Sequence, residues 1–243
     1  MNPSPRDLGT LRKRERIGAL IYLPMFLVGT QFLAVLIVLL FDRGLSQDEA
    51  LGPVNLAYTA LNALALVLIF RHYLLEQSRR IQARGWALFA DLLLAFLVYY
   101  GLSVLAANLI LLLQDGLGVE YANANQDAIL AALRQSPLYT ILAACVLAPI
   151  GEELLFRGLL FCGLYRKSRA WAYAVSMLCF ALAHLYSSMF SQPTAVTLMA
   201  LVVYLPHGFA LAWIYERSGS IWSAVFLHAG LNTFSFLLLF ANR

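Results

Sequence analysis

Seven long apolar stretches dominate this sequence and limit what it can fold into. They cover residues 17–41, 53–75, 86–113, 137–165, 170–190, 194–215 and 220–241. Each is about 20 residues or longer, enough for a helix rising about 1.5 Å per residue to cross a hydrocarbon core of about 30 Å. Lipid offers no partner to unpaired backbone N–H and C=O groups, so open strands are excluded. The stretches are also too long and too uniformly apolar for barrel strands. The expected fold class is all-α: a polytopic transmembrane helical bundle of about seven transmembrane helices. Composition agrees, with 61% hydrophobic and 12% charged residues, against about 45–50% and about 25% in soluble domains.

The connectors carry a topology signal. Residues 1–16 hold five Lys/Arg, residues 71–85 hold Arg71, Arg79, Arg80 and Arg84, residues 166–169 hold three, and Arg217 adds one. The opposite set of connectors holds only Arg43, Arg134 and Arg243, beside six acids: Asp42, Asp48, Glu49, Asp115, Glu120 and Asp127. The positive-inside rule then puts the N-terminus in the cytoplasm and the C-terminus outside. The first apolar stretch is too long for a signal-peptide core and reads as an uncleaved helix. The division expected is a basic cytoplasmic N-terminus (1–16), a three-helix transmembrane region with an external loop (17–136), and a transmembrane core (137–243). A short surface helix is expected over residues 127–134. The net charge of +4 follows from loop placement, and no basic helix with interleaved aromatics suggests nucleic-acid binding. Cys145, Cys162 and Cys179 lie in apolar runs without a CxxC pair and read as small buried hydrophobes. Asp91, about five residues into its helix, is read as reaching the interface.

The remaining charges are harder to place in lipid. Glu152, Glu153 and Arg157 fall within six residues of the fourth stretch, where each mid-membrane charge costs at least about 2.5–3.5 kcal/mol. Glu153 and Arg157 are spaced i,i+4 and can pair on one face. Glu152 is turned about 100° away, free for chemistry. The fifth stretch carries Phe180 and His184, and the seventh carries His228 and Asn232, again i,i+4. Counted from the basic ends, Glu152 lies about 20 Å deep, His184 about 21 Å, His228 about 12 Å and Asn232 about 18 Å. One carboxylate, two imidazoles and an amide in one layer suit activation of a water and stabilisation of an oxyanion. Each part alone also has a structural reading, as a helix–helix hydrogen bonder or an ion-pair staple. His72 reads as interfacial, and His207, after Pro206, as satisfying a kink or else as lining the same site.

The order and spacing of Glu152-Glu153-x-x-x-Arg157, Phe180-x-x-x-His184 and His228-x-x-x-Asn232 resemble the motifs of the CAAX-processing and bacteriocin-processing (Abi) family of intramembrane proteases. The resemblance covers about residues 137–236 and marks 137–243 as the catalytic core. It implies that Glu152 and His184 activate the attacking water. His228 and Asn232 would stabilise the oxyanion or complete the water site, with Glu153, Arg157 and Phe180 in support. A metal-free glutamate/histidine mechanism needs no cofactor. The alternative is zinc on Glu152, His184 and His228, which could form a three-ligand site, although the HExxH motif is absent. The expected setting is a bacterial cell membrane, with lipid and a membrane-associated peptide or protein as partners. The substrate would enter from the membrane or cytoplasmic side. Two other functions fit the same features: a non-catalytic bacteriocin-immunity or scaffold protein holding a peptide in the cavity, and a transporter with a carboxylate relay.

Overall fold

The computed structural model describes residues 7–40, 47–186 and 188–241, with the backbone alone of residues 28, 30–40 and 47–51. Arg6, Phe41, Asp42, Arg43 and Arg243, used above for spans and topology, lie outside the described residues, as do the side chains of Asp48 and Glu49.

The chain folds as a helical membrane bundle with no strand among the described residues. The first antiparallel pair is α1 (Lys13–Leu40) and α2 (Gln47–Ile69). The two are joined by Tyr22 OH donating to Asn62 Oδ1 at 2.6 Å and Tyr58 OH donating to the Phe26 carbonyl at 2.9 Å. The second apolar stretch does not cross as one rod. Phe70 breaks it at φ −92°, ψ 13°, and α3 (Arg71–Gln82) departs as an amphipathic helix of mostly polar residues. Lipid crossing therefore ends at Ile69, because Arg71 and His72 bring polar groups to the surface there.

α4 (Ala87–Leu117) is the longest helix among the described residues and stops where Gly118 takes the left-handed φ of 61°, its N–H donating to the Gln114 carbonyl. Its outer face is apolar and uncovered, with Leu105 67% and Leu112 71% exposed, as a lipid-facing helix requires. The expected surface helix is present and longer than read, α5 (Ala124–Gln135), with the Asn123 side chain accepting from Gln126 N–H.

The fourth span, Pro137–Tyr165, is composite. It runs α6 (Pro137–Leu142), a π-helical segment π1 (Ala143–Leu147), α7 (Ala148–Glu153), a second π segment π2 (Leu154–Phe161) and α8 (Cys162–Tyr165). The fifth stretch is shorter than expected. α9 (Arg169–Leu185) ends at Leu185, and residues 188–192 turn instead of continuing to Phe190. α10 (Thr194–Ser218) and α11 (Ile221–Ala241) complete the bundle. By length and apolarity, five helices qualify as candidate spans among the described residues, and α9 is a 17-residue apolar helix beside them.

The basic connectors meet at one end of the bundle. Arg80 pairs with Asp7 at 2.8 Å, Arg169 with Glu216 at 2.7 Å, and Asp91 with both Arg84 and Arg217, the latter at 2.7 Å. Asp91 is thus not an interfacial acid reaching for water. It is 4% exposed and ties the start of α4 to the end of α10. Residues 7–9 are also not a free tail. Leu8 is buried, and its carbonyl accepts from Gln77 Nε2 (3.1 Å) and Tyr215 OH (3.2 Å). Gln77 in turn accepts the Ile221 N–H on Oε1 at 2.8 Å. This strap locks α3 to the α10–α11 corner. The hydrogen bond from Arg80, with that from the Gly9 N–H, holds the Asp7 carboxyl below its ordinary range.

Candidate active site

Glu152 and Glu153 sit at the end of α7, between the two π segments. π-Helical turns are rare and are often found at functional sites, since each inserts a residue and leaves carbonyls without their usual donors. Side chains from other helices serve two such carbonyls. Ser176 Oγ of α9 donates to Phe156 O at 2.9 Å, and Asn232 Nδ2 of α11 donates to Ala144 O at 2.7 Å.

Glu153 and Arg157 do share a face, as their spacing requires. Both side chains are 0% exposed, and Arg157 Nη1 lies 3.1 Å from Glu153 Oε1. The arginine is held on two further sides. Nη2 donates to the Gly208 carbonyl at 3.1 Å, and the guanidinium carbon stands 4.7 Å over the Phe180 ring. A buried charge pair needs such extra contacts to offset its desolvation. Gly208 allows this approach: a Cβ there would lie 3.1 Å from the Met177 Cα of α9.

The same Glu153 Oε1 lies 2.9 Å from His228 Nδ1. A carboxylate can only accept, so Nδ1 carries the hydrogen and Nε2 faces the other way. His184 is oriented similarly, with Nδ1 2.9 Å from the Phe180 carbonyl. Both Nε2 atoms point to Glu152, that of His184 at 3.6 Å and that of His228 at 3.9 Å from Oε2. Glu152 Oε2 is buried and has no hydrogen-bond partner among the described residues. Its side chain as a whole is 16% exposed and that of His184 21%, so the group is reached from one side.

The structure therefore brings together Glu152, Glu153, Arg157, Phe180, His184 and His228. Asn232 lies on the His228 face of α11, and its hydrogen bond goes to Ala144 instead of to the carboxylate group. Two further residues join the cluster: His207, whose second reading placed it here, and Tyr204, which the sequence did not single out. His207 does not satisfy a kink: its Nε2 is buried without a partner, and its ring packs 4.9 Å from His228 and 5.3 Å from Phe180. The Tyr204 ring packs at a tilt against His184, centroids 4.9 Å apart, and its OH accepts from Asn125 Nδ2 at 2.9 Å, linking the site to α5. The signal for both was their spacing of three residues from each other, and of four from Tyr204 to Gly208, on α10, which puts them on one face. His72 is half-buried beside Arg71, away from this cluster.

Two imidazole acceptors and a carboxylate oxygen are zinc-type donors. Among the described residues, however, no group of three or more His, Cys, Asp or Glu side chains is arranged to hold a metal ion.

The model of the family described as Type II CAAX prenyl endopeptidase Rce1-like matches residues 134–234, which contain every side chain of the cluster. That stretch of the chain is similar to the Rce1-like family. The motif resemblance to CAAX-processing and bacteriocin-processing proteases is borne out at that level. The Bacillus subtilis (strain 168) protein named "Putative membrane peptidase YdiL" is 33% identical over 117 residues, covering 48% of this chain and 43% of that protein. The match spans less than half the length of that relative. No solved structure matches the chain. The Rce1-like region starts just before α6 and ends within α11, so α1 to α4 lie outside it.

Proposed function

We propose that this chain is an intramembrane endopeptidase in which Glu152 and His184 activate a water. The observation that carries the reading is the geometry at Glu152 Oε2. It is a buried, unpartnered carboxylate oxygen that faces two imidazole Nε2 atoms at 3.6 and 3.9 Å. Those separations exceed direct hydrogen bonds, and a water between the three atoms can donate to two of them and accept from the third when that imidazole is doubly protonated.

In this mechanism the water gives a proton to Glu152 or His184 as its oxygen attacks the scissile carbonyl carbon. The carbonyl electron pair moves to oxygen, and the tetrahedral intermediate collapses by breaking the C–N bond. The held proton then passes to the leaving amine. His228 faces the oxyanion. Its Nδ1–H on Glu153 leaves Nε2 bare when neutral; in the doubly protonated ring, Nε2–H can donate to the developing charge. Arg157 balances the Glu153 charge. Phe180, packed on His184, His207, His228 and Arg157, fixes the orientation of the rings.

The Rce1-like match and the membrane peptidase relative support a peptide substrate. By the positive-inside rule the basic end faces the cytoplasm of a bacterial cell, with the substrate entering from lipid or from that side. The test uses purified protein in liposomes with two quenched fluorogenic probes: a farnesylated peptide ending in Cys-aliphatic-aliphatic-X, and an unprenylated transmembrane peptide. His184→Ala is expected to lower cleavage of whichever probe is accepted by about 10²–10⁴-fold, with Tm preserved. Equal turnover by His184→Ala would remove the proposed base and with it the mechanism.

A further inference from the structure

The π1 segment explains why Asn232 donates to a backbone carbonyl instead of to the carboxylate group. The Ala148 N–H bonds to the Ala143 carbonyl, five residues back. One step further in the same register, the Ala144 carbonyl would receive the N–H of residue 149. Residue 149 is Pro, which has none. The α-helical donor to Ala144, the Ala148 N–H, is already taken by Ala143. The Ala144 carbonyl therefore has no donor within its own helix, and in lipid such a group is costly. Asn232 Nδ2 supplies the donor from α11 at 2.7 Å.

The register matters because Glu152 lies three residues beyond Pro149. An α-helix turns about 100° per residue, so one residue added or removed at π1 rotates α7 by about that amount relative to α6. Such a rotation would swing the Glu152 carboxylate off the line of the two histidines.

We propose that Asn232 is a positioning residue. Its amide replaces the donor that Pro149 lacks and holds the π register that aims Glu152 at His184 and His228. The proposal rests on the protease reading for its consequence in catalysis, but the hydrogen bond itself can be tested without it. The second Nδ2–H stays free for an oxyanion beside His228, and Pro149 and Asn232 form a functional pair across two helices.

The test is a double-mutant cycle of Pro149→Ala and Asn232→Ala in the full-length protein. Tm and the kcat and KM for the accepted fluorogenic probe are measured for each variant. Alanine at position 149 restores an N–H that can reach the Ala144 carbonyl, so Asn232 should become dispensable. The loss in kcat from Asn232→Ala, at least tenfold in the wild-type background with KM little changed, should shrink to under threefold in the Pro149→Ala background. The Tm loss should shrink with it. Asn232→Asp, which keeps the shape but lacks the donor when ionised, should behave like Asn232→Ala. If the Tm loss is rescued and the kcat loss persists in full, Asn232 acts on the reaction itself and the proposal fails. Additive Tm effects would also overturn it, because no shared carbonyl would then link the two positions. Should the wild type cleave neither probe, the protease reading is what fails, and the Tm cycle still decides the Pro149–Asn232 link. If Pro149→Ala does not accumulate folded, Pro149→Ser supplies the same N–H.

Discussion

At the scale of single residues, the two adjacent glutamates have opposite duties. Glu153 is fully buried and accepts from both Arg157 and His228, so it is part of the framework. Removing one partner of a buried pair leaves the other charge uncompensated, a loss of about 3–5 kcal/mol. Glu153→Gln should therefore lower Tm markedly in detergent, whereas an unchanged Tm would show that the pair contributes nothing. Glu152 has no partner to lose on Oε2, so its replacement should leave stability intact. The sequence made this division legible: i,i+4 spacing assigned Glu153 to Arg157 and left Glu152 free. It favoured the wrong one of two readings for His207. A lone histidine after a proline looks like a local hydrogen bonder, and its contacts with His228 and Phe180 are made across helices, where local spacing is silent.

At the scale of elements, α9 and α10 are pressed together at Gly208, and that contact positions Phe180 and His184. A methyl at Gly208 would sit 3.1 Å from a backbone atom of α9. Gly208→Ala is expected to cost about 1–3 kcal/mol by overpacking and to lower cleavage by displacing His184. A Tm within error of wild type would show that the helices can separate freely. The apolar stretches predicted the helices well, because lipid allows little else. They missed the break at Phe70, the stop at Leu185 and the two π segments. Residues 143–147, Ala-Ala-Cys-Val-Leu, are as apolar as any α-helix, so hydropathy cannot detect the shifted register. Pro149 was the one local clue.

At the scale of the whole molecule, the charge pattern of the connectors becomes a structure: the basic segments lie at one end, tied through Asp7, Asp91 and Glu216. The strap of residues 7–9 belongs to that end and was not legible, since a short polar segment carries no periodicity. The Asp7 carboxyl is held below its ordinary range by Arg80. Its contribution to docking the strap is therefore present above about pH 4. It is lost as pH falls through the lower folded value. Asp7→Asn should raise hydrogen exchange in residues 7–16 at neutral pH, and equal protection in both proteins would show that the ion pair does not hold the strap. In the proposed reaction one oxygen atom is the seat of chemistry within a stable bundle. Glu152→Gln, nearly isosteric and unable to take a proton from water, tests this most directly in a single-turnover cleavage assay with Tm measured on the same sample. An intact Tm and cleavage reduced to background are expected. Wild-type cleavage by the Glu152→Gln protein would contradict the proposed reaction.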